Sequence, residues 1–112
     1  MTKSKEESAM EWSFGGKDPA GRELVRLDGD FDLYSAPKFA ASIFERMELG
    51  ERRLKLDLSK VAYMDSTGVG ALIRILQAMK RLGGEIRFSG ITGSPRRVLQ
   101  MSNVISLMCE EG

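Results

Sequence analysis

LKLDLSKVAYMDSTGVG, residues 54–70, is the stretch from which the fold can be read. Over residues 53–58 the chain alternates strictly. Leu54, Leu56 and Leu58 fall to one side, and Arg53, Lys55 and Asp57 to the other. A period of two with one apolar side is the pattern of a half-buried strand. Val61-Ala62-Tyr63-Met64 follows, and then Asp65-Ser66-Thr67-Gly68. From there the period lengthens: Val69, Leu72, Ile73, Leu76 and Met79 mark one face of a long helix expected to run to about Leu82. Gly83-Gly84 stops it. Asp65 or Ser66 supplies the side-chain oxygen that a helix start needs for its first N–H groups.

Residues 10–14 alternate Met10, Trp12 and Phe14 with Glu11 and Ser13, a second strand pattern. GGKDPAGR, residues 15–22, is dense in turn formers, and residues 23–28 read as the strand that completes a hairpin. Gly29 is expected to break that strand. Ser35-Ala36-Pro37 then opens a helix, with Ser35 as N-cap and Pro37 in the first turn. Its apolar stripe is Phe39, Ile43, Phe44 and Met47, and Gly50 ends it. After the central helix, residues 85–88 form another strand. A third helix starts at Ser94-Pro95 and carries Val98, Leu99 and Met101, and residues 104–108 are a short apolar stretch. Strands alternating with helices favour right-handed crossovers between parallel neighbours. The expected fold is α/β: a mixed four- to five-stranded sheet with flanking helices in a single domain over residues 10–112. A polar tail over residues 1–9 precedes it. Leu54, Leu56, Leu72, Ile73 and Leu76 are the expected core between the central strand and the long helix.

The 112 residues suit one domain with a small core. A net charge of +1, with both signs interspersed, calls for neither nucleic acid nor an anionic membrane as partner. No apolar run approaches the ~20 residues that span a bilayer. MTKSKEESAM has no following apolar region of the kind a secretory signal carries. One cysteine, Cys109, makes no internal disulfide and is expected to be a half-buried packing residue. A cytoplasmic location is the expectation. The chain has no histidine, which closes Ser-His and Cys-His nucleophile schemes. Asp28, Asp30 and Asp32 mimic the start of a calcium loop. The template then asks for Gly and Glu where Leu33 and Phe39 stand, so no metal is assigned. Gly68-Val69-Gly70 would need a third glycine at Ile73, and Gly15-Gly16-Lys17 leads into no helix; no nucleotide cofactor follows.

What remains is the serine at the helix start. Capping alone accounts for Asp65 and Ser66 without any function. A phosphate on Ser66 would add about −1.5 to −2 charge where the helix N-terminus offers free N–H donors and a positive dipole end. The fold would tolerate it, while a partner docked over a neutral hydroxyl would face a dianion beside Asp65.

MDSTGVG, followed by a helix ending in KRLGGEIRFSG, resembles the STAS domain of bacterial anti-sigma-factor antagonists. The likeness also takes in VRLDGDFD (residues 25–32) and SPRRVLQMSNV (residues 94–104). It implies a regulator and not an enzyme. The unmodified protein would bind an anti-sigma factor that is also a serine kinase, freeing the sigma factor. Phosphorylation would end that binding, and a serine phosphatase would restore it. Carried over, the modified residue is Ser66, with the adjacent Thr67 hydroxyl as the competing acceptor. Asp32, Asp65, Ser66, Thr67 and Gly68 would meet the partner. A STAS subunit of a stressosome-like particle or a lipid-transport ATPase complex is the alternative within the same family. A nucleotide-hydrolysing enzyme built on Asp32, Asp65 and Ser66 lacks a base, a metal cluster and a phosphate cradle.

Overall fold

A computed structural model describes residues 10–111; the expected tail, residues 1–9, lies outside them. The elements run β1 (Met10–Lys17), β2 (Glu23–Phe31), α1 (Ala36–Glu48), β3 (Arg53–Met64), α2 (Ser66–Arg81), β4 (Glu85–Ser89), α3 (Gly93–Met101), a 3-10 turn (Ile105–Leu107) and β5 (Cys109–Glu110). The strands form one mixed sheet in the order β1-β2-β3-β4-β5. β1 is antiparallel to β2, and every later pair is parallel. The expected α/β architecture is therefore the observed one.

The alternation in β3 does what the sequence requires of it. Leu54, Leu56 and Leu58 are buried on the face that also carries Val25 and Leu27 of β2. α1 adds Phe39, Ile43 and Met47 to the same core, and α2 adds Leu72, Ile75 and Met79. Phe39 packs T-shaped against Trp12 and Phe31, with ring centroids 5.5 Å and 5.6 Å apart. The other face of β2 and β3 carries Arg26, Asp28, Lys55 and Asp57, as a period of two dictates. Arg46 reaches back from α1 to lie 3.5 Å over the ring of Phe14.

Several local readings are corrected. β3 does not end at Leu58 but continues to Met64. β2 passes through Gly29 to Phe31, because Gly29 takes φ 121° and the β2–β3 register shifts on either side of it; the glycine accommodates an irregularity and does not end the strand. On α2 the buried line is Gly68, Leu72, Ile75 and Met79, at i, i+4, i+7 and i+11, with Ala71 beside it. Ile73 and Leu76, expected in the core, sit on the borders of that stripe and are only partly buried. Ser35 stands before α1 without capping it, since its hydroxyl is drawn to the Asp30 carbonyl at 2.6 Å. Cys109 is exposed, not half-buried, on a strand at the edge of the sheet. Met101, expected on the apolar face of α3, is also exposed, while Leu99 fills the core. Among the described residues, no helix is long and apolar enough to cross a membrane.

Candidate functional site

β3 feeds α2 with a single residue between them, and that residue is Asp65. It is extended (φ −111°, ψ −175°), which turns its side chain back over the first helical turn. Oδ1 accepts the N–H of Gly68 at 3.0 Å, and the Asp65 carbonyl accepts that of Val69 at 3.0 Å. The second carboxylate oxygen does something capping does not require: Oδ2 accepts the backbone N–H of Leu33 at 3.2 Å. The Asp65 N–H donates to the Phe31 carbonyl at 3.3 Å. One aspartate thus fastens the start of α2 to the loop that follows β2.

That loop is organised by Asp32. Its Oδ1 accepts the N–H groups of Tyr34 at 3.0 Å and Ser35 at 3.2 Å, while the Ser35 hydroxyl accepts the Asp32 N–H at 3.0 Å. Asp32 is half-buried and held within its own turn. Because β2 and β3 are parallel, both loops emerge at the same end of the sheet, and Asp32 and Asp65 come to one surface. Ser66 is exposed as the first residue of α2, and Thr67 beside it is half-buried. An α-helix leaves its first N–H groups without intrahelical acceptors. Asp65 takes that of Gly68, and the helix dipole makes the remaining corner receptive to an anion.

Gly68, counted from the sequence as a partner contact, is buried. A Cβ there would stand 2.4 Å from the Phe31 carbonyl oxygen and 2.8 Å from the Phe31 ring. Its glycine lets α2 approach the end of β2 closely, and so keeps Ser66 beside the loop. Sequence reasoning missed Leu33 and Tyr63, which are 55% and 48% exposed at this end of the molecule. The signal for Leu33 was available: an apolar residue inside the polar turn DFDLYS. The outward face of Tyr63 follows only once β3 is known to extend to Met64.

Ser66, Asp65 and Asp32 line neither of two surface grooves. One, of about 700 Å³, lies over the open face of the sheet, and the other, of about 490 Å³, lies between α2 and β4. A hydroxyl on an open surface, flanked by exposed apolar side chains, suits contact with a protein better than enclosure of a small substrate.

The STAS domain model matches residues 20–110, and the chain belongs to the STAS-domain family. An anti-sigma-B factor antagonist of Staphylococcus aureus (strain NCTC 8325) is 27% identical over 84 residues, covering 75% of this chain and 78% of the relative. Among solved structures, a candidate anti-sigma factor antagonist from Thermotoga maritima superimposes with a TM-score of 0.75 at 22% identity, covering 88% of this chain and 84% of the other. The Bacillus cell fate determinant SpoIIAA in its phosphorylated form does so with a TM-score of 0.68 at 19% identity, covering 93% and 92%. At these identities the structural likeness establishes the fold.

Proposed function

We propose that this chain is an anti-sigma factor antagonist, a protein-binding switch without catalysis of its own, turned off by phosphorylation of Ser66. The observation that carries the reading is the placement of Ser66: exposed, first in α2, and next to an Asp65 whose two carboxylate oxygens are both already engaged. The likeness to the Staphylococcus aureus anti-sigma-B factor antagonist supports the function, and the phosphorylated form of SpoIIAA supports phosphorylation as a state of such a protein. The partner is an anti-sigma factor with serine kinase activity, which brings the ATP. A serine phosphatase resets the switch, and the exchange takes place in the cytoplasm.

In this mechanism the unmodified surface offers Leu33, Ser66, Thr67 and the half-buried Asp32 to the anti-sigma factor. Phosphate adds about −1.5 to −2 charge beside Asp65. The helix start supports that charge in the free protein, but docking would strip water from it with no cation supplied. The modified form therefore stays folded and loses its partner. The test is affinity capture from the native cell with the wild-type chain and with Ser66→Asp, followed by phosphosite mapping of the wild-type chain after incubation with the captured kinase and ATP. Capture of a kinase-fold anti-sigma factor by wild type alone, with phosphate on Ser66, is the expected result. Phosphate on Thr67 alone moves the switch by one residue, and capture of a transporter ATPase replaces the reading.

A further inference from the structure

β5 is a strand in little more than name. It pairs with β4 at only two positions, Arg87 with Cys109 and Phe88 with Glu110, and Glu111 adds one N–H bond to the Phe88 carbonyl at 2.7 Å. Neither Cys109 nor Glu110 is buried. Met108, just before β5, is buried in the core, but residues 109–111 bury no apolar side chain of their own and are tied down by this short ladder and by charge. The Glu111 carboxylate lies 3.1 Å from Arg22 in the β1–β2 turn, 3.3 Å from Lys55 on β3 and 4.0 Å from Arg87 on β4. Glu110 pairs with Arg96 of α3.

Without Glu111, the three cations of its socket, Arg22, Lys55 and Arg87, would share two carboxylates, Asp18 and Glu85. Lys55 and Arg87 are direct register partners across β3 and β4, a like-charge pair; Arg87 pairs with Glu85 at 3.3 Å, and Lys55 depends on Glu111. Asp18 and Glu85 also contact this cluster, at 3.2 Å and 3.4 Å from Arg22. The buried Nε–H groups of Arg22 and Arg87 make no hydrogen bond and face carboxylate oxygens of Glu85 at 3.4 Å and Glu111 at 4.0 Å. Next to the socket, the 490 Å³ groove between α2 and β4 has an apolar floor of Leu76, Met79 and Ile86 and a basic rim of Lys80 and Arg87; Leu107 and Cys109 complete it from the β5 side.

We infer that residues 109–111 are a releasable strap, latched by charge over the outer edge of β4, and that its release opens this edge and the Arg22–Lys55–Arg87 socket to an acidic, extended segment of a partner protein. Such a segment would add to β4 as a strand, place a carboxylate where Glu111 sits and lay apolar side chains in the groove. The surface is separate from Ser66, so this inference stands or falls apart from the proposed switch.

The test uses the full chain, its Glu111→Gln variant, and Glu111→Gln combined with Lys55→Gln or Arg22→Gln. Hydrogen exchange comes first. Amides of residues 109–111 are expected to exchange faster in Glu111→Gln, and faster in wild type as salt rises from about 0.05 to about 1 M, with the denaturant midpoint of the domain little changed. The second measurement is fluorescence anisotropy with a labelled Ser-Leu-Met-Ser-Glu-Glu-Gly peptide, which copies the strap with serine for cysteine. A peptide that competes with a closed strap binds in proportion to the open fraction, so Glu111→Gln is expected to bind it at least about tenfold tighter than wild type. Lys55→Gln, on a partly exposed residue, is expected to remove that gain without unfolding the chain. Unchanged exchange in Glu111→Gln would overturn the latch. Equal binding of a Gln-Gln version of the peptide, or equal competition by inorganic phosphate, would overturn the acidic-strand site.

Discussion

The backbone of Gly68 in α2 lies directly against the carbonyl of Phe31 at the end of β2, so that a Cβ on Gly68 would stand 2.4 Å from that oxygen. The atom such a Cβ would strike is backbone, with no flexible side-chain end to give way. Gly68→Ala is therefore expected to cost about 1–3 kcal/mol as an overpacking change, despite alanine's better helix propensity. Gly70, one half-turn on, has no atom within 4 Å of its would-be Cβ. Gly70→Ala is expected to stabilise by about 0.5–1 kcal/mol from propensity alone. Reversible denaturant melts of both variants provide the check, and a loss in both or in neither would contradict the close approach.

The two leucine positions expected to share the core differ in what they bury. Leu56 is fully enclosed in β3, whereas Leu76 is only partly buried on the flank of α2. Leu56→Ala is expected to cost about 2–5 kcal/mol, with cavity formation adding to the lost transfer energy. Leu76→Ala keeps part of its surface in water either way and is expected to cost clearly less. Equal losses in urea melts would mean that the buried stripe of α2 is misplaced.

These positions show how far the sequence could be read. A strict period of two at Leu54, Leu56 and Leu58 has one structural solution, and the strand was legible from it. The helix after Asp65 was equally plain, but its orientation was not, because Leu72 and Leu76 both satisfy a helical period and only the packing of Ala71 and Ile75 chooses between them. Gly29 was misread because a glycine that ends a strand and one that kinks it look alike until the neighbouring register is known. At the site, Asp65 and Ser66 were visible as a helix start. The second bond of Asp65, to the Leu33 N–H, joins residues 32 apart and left no local trace. The Glu111 cluster was out of reach for the same reason: its cations come from a turn, β3 and β4.

Acid should loosen the charged face first. Glu85 ionises more readily than an ordinary glutamic acid, chiefly through the hydrogen bond it accepts from Arg53, with the charges of Arg22, Arg53 and Arg87 acting in the same direction against its desolvation. Asp18 is shifted down as well, first by the backbone N–H of Arg22. A carboxyl whose pKa is lower folded than unfolded stabilises the fold above its unfolded pKa, roughly 4 for these groups, and that contribution fades as pH falls through the folded value. Glu85→Gln removes one such group. Its denaturant midpoint is expected below that of wild type near neutral pH, and the gap is expected to close on acidification. Parallel midpoints down to about pH 3 would show that Glu85 contributes no linkage.

Ser66 separates stability from binding. It is the first residue of α2 and exposed, so an anion there meets the positive end of the helix and its outward N–H groups. That interaction is worth about 0.3–1 kcal/mol, offset in part by the neighbouring Asp65 carboxylate. Ser66→Asp is therefore expected to melt within about 1 kcal/mol of wild type. At the partner surface the same charge must be desolvated. Ser66→Asp is expected to lose affinity for the anti-sigma factor, and Ser66→Ala, which keeps the surface neutral, is expected to bind as wild type does and to resist the kinase. Aspartate has less charge and fewer acceptor oxygens than phosphoserine, so its loss is expected to be smaller than that of the phosphorylated chain. Calorimetric titration of the four forms against the purified partner, with denaturant melts alongside, reads both quantities. Binding by Ser66→Asp as tight as that of Ser66→Ala, or weak binding that tracks a loss of stability, would remove the helix-start charge as the basis of the switch.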